Sequence, residues 1–96
     1  MIEVQKTSVY DTWYDGLRDA RAQGRIDARL RRLSLGNFGD VKPVGGGVSE
    51  LRIPYGPGYR VYFVRRDNAV VLLLCGGDKG SQRRDIAAAK RLAGEI

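Results

Sequence analysis

The 96-residue chain contains no histidine and a single cysteine. Without histidine it lacks the commonest general base near neutral pH and the commonest metal ligand. One cysteine, Cys75, forms no internal disulfide, and the apolar run around it marks it as core filler rather than nucleophile. No apolar run approaches the roughly 20 residues of a membrane span, and no signal-peptide pattern opens the sequence. A cytoplasmic protein is therefore expected. Acidic residues are in deficit: 17 Lys and Arg against 11 Asp and Glu leave a net charge of +6. Acidic partners follow from that balance, nucleic acid first among them. The basic residues run through periodic segments instead of collecting in a tail, so a disordered arm is not expected. This length supports one domain, residues 1–96, with a modest core.

What the chain does have is clear patterning. Residues 2–5 (IEVQ) alternate as a short edge strand. Thr7 or Ser8 caps a helix, with Asp11 in its first turn. Tyr10, Trp13, Tyr14 and Leu17 follow at helical spacing, an aromatic stripe better read as core than as a base-stacking platform. Gln23-Gly24 reads as a break, and a second helix carries Ile26, Leu30 and Leu33 on one face, with Asp27 and Arg31 spaced as an ion pair. Gly36 and Asn37 end it.

Residues 38–47 read as loop or irregular strand, closed by a hairpin turn at Gly45-Gly46-Gly47. A phosphate loop would need a Lys-Ser/Thr that is absent there. Residues 48–54 (VSELRIP) and 59–66 alternate on either side of a Tyr55-Gly56-Pro57-Gly58 turn. Paired as a hairpin, they put Arg52, Arg60, Tyr62 and Arg66 on one face. Residues 69–75 are apolar throughout, which requires a strand covered on both sides. Ser81 then caps a last helix with Ile86, Ala89, Leu92 and Ala93 inward and Arg83, Arg84, Lys90 and Arg91 outward. The predicted order is βααββββα. This is an α+β fold, an N-terminal helical hairpin on a four- to five-stranded, mainly antiparallel sheet with a C-terminal helix, the helices largely on one face.

The succession Glu50-Leu51-Arg52, Gly58-Tyr59-Arg60-Val61-Tyr62-Phe63 and Gly77-Asp78-Lys79-x-x-Gln82-x-x-Asp85-Ile86-x-x-Ala89 resembles the RelE/ParE toxin superfamily. Within it, the match is to the HigB-like branch of addiction-module killer proteins, over most of the chain. The resemblance implies a RelE-like fold and the toxin half of a type II toxin–antitoxin pair. Such a toxin cuts mRNA in the ribosomal A site without metal or other cofactor. Its partner is a small HigA-like helix-turn-helix antitoxin, held in a toxin–antitoxin hetero-oligomer. Carried over by residue, Arg60 matches the sheet arginine at the scissile phosphate. Arg52 lies on the strand that holds basic catalytic residues, and Lys79 sits where a basic residue follows the last strand. The tyrosine or histidine that some relatives carry near the C-terminus is missing, which leaves the general base unassigned. The alternatives are a ParE-type toxin acting on DNA gyrase and a non-catalytic basic nucleic-acid-binding module.

Cleavage through the RNA 2′-OH needs alignment, a proton acceptor and charge stabilisation at the phosphorane. Arg52 and Arg60 suit the last task, because a guanidinium meets two phosphate oxygens at once and keeps its charge. Lys79 serves as acid or base. Tyr62 stacks on a base or takes part in proton transfer. Arg65 and Arg66 are read as binding phosphates non-specifically or meeting an acidic antitoxin, and Arg83 as an RNA contact. Gln82 reads a base edge or bonds its own helix end. Arg52 has a plainer role open to it, an ion pair with Glu50 or Asp85.

Overall fold

Residues 69–75 form the body of an inner strand. In the computed structural model, which describes residues 1–96, β5 (Val70–Gly77) lies between β1 (Glu3–Lys6) and β4 (Tyr59–Arg66). The sheet continues through β3 (Val48–Ile53) to β2 (Val41–Gly45) at the far edge. Only β1 pairs in parallel; the other three pairings are antiparallel. The helices are α1 (Ser8–Asp15), α2 (Ala20–Ser34) and α3 (Gln82–Gly94), with a 3-10 turn at Lys79–Ser81. The order βααββββα is the one predicted.

Both faces of β5 are buried, which is why its sequence has no polar face, and a bulge interrupts its pairing. The register with β4 slips after Tyr62–Cys75 to Phe63–Leu73, leaving Leu74 unpaired. Val71 and Leu73 enter a core with Tyr10, Ile26, Leu30, Leu33, Leu51, Val61 and Phe63. Leu74 and Cys75 enter a second core with Val48, Tyr62 and Ala89. The first core lies under α1 and α2 and the second under α3, so the helices cover both faces of the sheet and not chiefly one.

Local signals set the helix ends. Thr7 caps α1 by accepting the Tyr10 amide, and Asp19 caps α2 by accepting those of Arg21 and Ala22. The break between the helices is therefore at residues 16–19, and Gln23-Gly24 lies inside α2. Leu17 falls outside α1, and Asp27 accepts the Tyr14 hydroxyl at 2.6 Å instead of pairing with Arg31. Gly36, at φ +92°, ends α2: its amide and that of Asn37 bond back to Leu33 and Arg32 at 2.9 Å. At α3 the expected Ser81 cap does not form. The Ser81 hydroxyl bonds the Asp85 carboxylate, while Asp78 accepts the Gly80 and Ser81 amides.

Candidate active groove and its buried support

Register brings the two sheet arginines together. Arg52 of β3 and Arg60 of β4 are direct cross-strand partners. They line an open groove of about 330 Å³ with Asp40, Ile53, Pro54, Gly58 and Tyr59. Lys79 stands at its rim: its amide reaches the Pro57 carbonyl at 3.4 Å. A Cβ placed on Gly58 would lie 3.5 Å from the Lys79 Cβ and 3.3 Å from Nη1 of Arg60. Of the three predicted catalytic residues, Arg52 and Arg60 line the groove, while the backbone and Cβ of Lys79 lie at its edge.

Each arginine comes with its own carboxylate. Arg52 donates to Asp40 Oδ1 through Nη2 at 2.9 Å and Nε at 3.3 Å, in the open part of the groove. The Asp40 hydrogen bond raises the Arg52 guanidinium above its usual pKa. Arg60 is different, with a side chain only 13% exposed. Its Nε lies 3.5 Å from Oε1 of Glu50, which is fully buried, and Nη1 donates to the Gly58 carbonyl at 2.8 Å. Nη2 has no partner within the chain, which leaves it for a ligand in the groove.

Glu50 is the support beneath. Its Oε2 accepts the Tyr62 hydroxyl at 3.2 Å and Gln82 Nε2 at 2.9 Å, tying β3 to β4 and α3. This corrects two predicted ligand contacts. Tyr62 has no exposed surface and cannot stack on a base; burial, then Glu50, pushes its phenol pKa up, which removes it from proton transfer near neutrality. Gln82 spends its amide on Glu50 and not on a base edge or its helix end. It is also Asp40 that pairs with Arg52, not Glu50 or Asp85.

The remaining basic residues are scattered. Arg66 faces Val70 at the opposite end of β4 from Arg60, roughly 20 Å away at about 3.3 Å per residue. Arg65 caps the Phe38 ring at 4.8 Å, against the core under α1 and α2. Arg83 is exposed at the start of α3, beside Arg84 in a separate shallow depression.

No protein-family model matches the sequence. An uncharacterized protein of Haemophilus influenzae is 48% identical over 95 residues, covering 99% of this chain and 96% of that protein. The two chains belong to one family.

In this family member, sequence reasoning missed Asp40 and the burial of Glu50. Asp40 was findable. β2 pairs Val41 with Leu51, and the Arg52 amide donates to the Asp40 carbonyl at 3.0 Å, which sets Asp40 beside Arg52. Reading residues 38–47 as a paired strand exposes that relationship.

Proposed function

We propose that this protein is the toxin of a type II toxin–antitoxin pair of the RelE/HigB kind, a cytoplasmic endoribonuclease that cuts mRNA on the ribosome. The observation that carries the reading is the cross-strand pair Arg52 and Arg60 in one groove, with Asp40 inside and Lys79 at the rim.

The groove supplies each element of a 2′-OH cleavage. Attack of O2′ on phosphorus forms one P–O bond and breaks P–O5′, giving a cyclic phosphate and a free 5′-hydroxyl. Asp40 takes the 2′-OH proton through Oδ2, since Oδ1 is held by Arg52. The Lys79 ammonium returns a proton to O5′. Arg52 and Nη2 of Arg60 neutralise the phosphorane oxygens. A carboxylate is a weaker base than an imidazole, so alignment by the ribosomal A site supplies much of the rate. A small helix-turn-helix antitoxin restrains the enzyme in a hetero-oligomer.

The test is to express the wild type, Arg52→Ala and Asp40→Asn in a bacterium and map mRNA 5′ ends during growth arrest. Both substituted side chains are well exposed, so the variants keep the fold. In-frame cuts within translated messages, lost in both variants, are the expected result. Arrest with intact mRNA sinks the nuclease and leaves the gyrase-directed ParE type. Absence of arrest leaves a basic binding module.

A further inference from the structure

The strongest uncompensated positive charge lies outside the groove just described. Along α2, Arg25, Arg29 and Arg32 line a depression of about 270 Å³ with Ala28, Ile53, Pro54 and Tyr55. No carboxylate lines it, and none of its arginines is in an ion pair. Arg52 and Arg60, by contrast, each face a carboxylate.

We infer that this α2 depression is a second anion site, and that it binds a phosphodiester of the same single-stranded RNA whose reacting phosphate lies between Arg52 and Arg60. The inference rests on the nuclease reading and extends its substrate contact. Ile53 and Pro54 line both grooves, so one strand of RNA passes from one to the other without leaving the surface. Arg29 is fixed in place, donating to the Arg52 carbonyl at 2.6 Å and the Phe38 carbonyl at 3.3 Å. Burial first, and the nearby Arg32 charge second, hold its guanidinium below the usual pKa, against the opposing pull of Asp40. Three like charges around one hollow repel until an anion enters.

The wall also suits RNA over an acidic peptide. Arg25 lies 4.7 Å over the Tyr55 ring, whose hydroxyl is anchored to Asp19 at 3.1 Å. A guanidinium stacked on a fixed aromatic ring presents a plane on which a base can stack beside its phosphate.

The test measures binding of a labelled single-stranded RNA of about a dozen nucleotides, and of a dinucleotide, across a salt series. The proteins are the wild type, Arg25→Ala/Arg32→Ala, and the control Arg31→Ala/Arg91→Ala. All four positions are exposed, and melting curves verify the fold. Loss of two phosphate contacts flattens the plot of log K against log salt by about 1.4 for the long RNA, at about 0.7 per contact. The dinucleotide, which fills the Arg52–Arg60 groove alone, binds the α2 variant like the wild type. An unchanged slope overturns the second site while wild-type binding keeps the nuclease reading alive. An equal loss in the control, or in the dinucleotide, overturns it as a general field effect. An intact RNA slope with lost binding of poly-glutamate reassigns the hollow to an acidic protein. A wild type that binds neither RNA defeats both readings together.

Discussion

Nε of Arg60 lies 3.5 Å from Oε1 of Glu50, and Glu50 has no exposed surface. Neither atom has a hydrogen-bond partner, so this ion pair is each one's only compensation in the interior. A buried carboxylate in this position is costly unless paired. Its second oxygen is satisfied by Tyr62 and Gln82, and the arginine it holds keeps one free amino group for the groove. The site is thus a supported guanidinium, held from below before any ligand arrives, next to the more exposed pair of Arg52 and Asp40.

That difference is measurable. Glu50→Gln removes the buried counter-charge and leaves the Arg60 guanidinium uncompensated, at a cost of about 3 kcal/mol. Arg52→Ala breaks only an open surface pair and leaves the urea midpoint almost where it was. Equal midpoints for Glu50→Gln and wild type would show that the buried pair does not brace the groove.

Gly24 lies exposed within α2 and has no left-handed φ, and a Cβ added to it would meet no other atom within 4 Å. Gly24→Ala therefore raises stability by about 0.5–1 kcal/mol, through helix propensity and a less flexible unfolded chain. A loss of stability in urea unfolding would contradict this placement of the helix.

The same residue shows where the sequence was hard to read. A glycine inside a helix costs only about 1 kcal/mol, less than the burial of Ala22 and Ile26 on either side returns. Asp19 was the real boundary signal, masked by Leu17, which extends the apolar spacing past the end of α1. The βααββββα order, the Arg52–Arg60 face and the inner position of β5 were legible because alternation and turn chemistry are local. The burial of Glu50 was not: its partners Arg60, Tyr62 and Gln82 come from 10, 12 and 32 residues away. Nor does the small-residue stripe of α3 say which face of the sheet it covers.

Gly77 is held to glycine by a neighbour. A Cβ there would collide with the Asp85 carboxylate, which also accepts the Ser81 hydroxyl. Gly77→Ala costs about 1–3 kcal/mol by overpacking, and adding Asp85→Ala recovers part of that loss. Strictly additive losses in the double variant would place the clash elsewhere.

Cys75 is buried, and burial pushes its thiol pKa up to about 11. Little thiolate forms near pH 8, and access is closed as well. Alkylation by iodoacetamide in native buffer is expected to proceed only through unfolding, slowing as stability rises in the Gly24→Ala variant. Labelling as fast as that of a free thiol would place Cys75 at the surface.

Alkaline pH tests the tyrosines. The hydrogen bond to Asp27 is the main cause that lifts Tyr14 from 10.0 to about 12, while burial first and nearby carboxylates second raise Tyr10 and Tyr62. In the unfolded chain all three ionise near pH 10. Between about pH 10 and 12 the unfolded state therefore binds fewer protons than the folded one, and stability falls as pH rises. Below that window the contribution is complete and flat. Urea midpoints are expected to begin falling above about pH 8.5, where the Cys75 thiol of the unfolded chain ionises first, and to fall more steeply above about pH 10 as the tyrosines join. Tyr14→Phe makes the drop shallower, because a phenylalanine has no proton to lose in either state. A variant whose midpoint falls as steeply as that of the wild type would mean that Asp27 does not hold the Tyr14 proton.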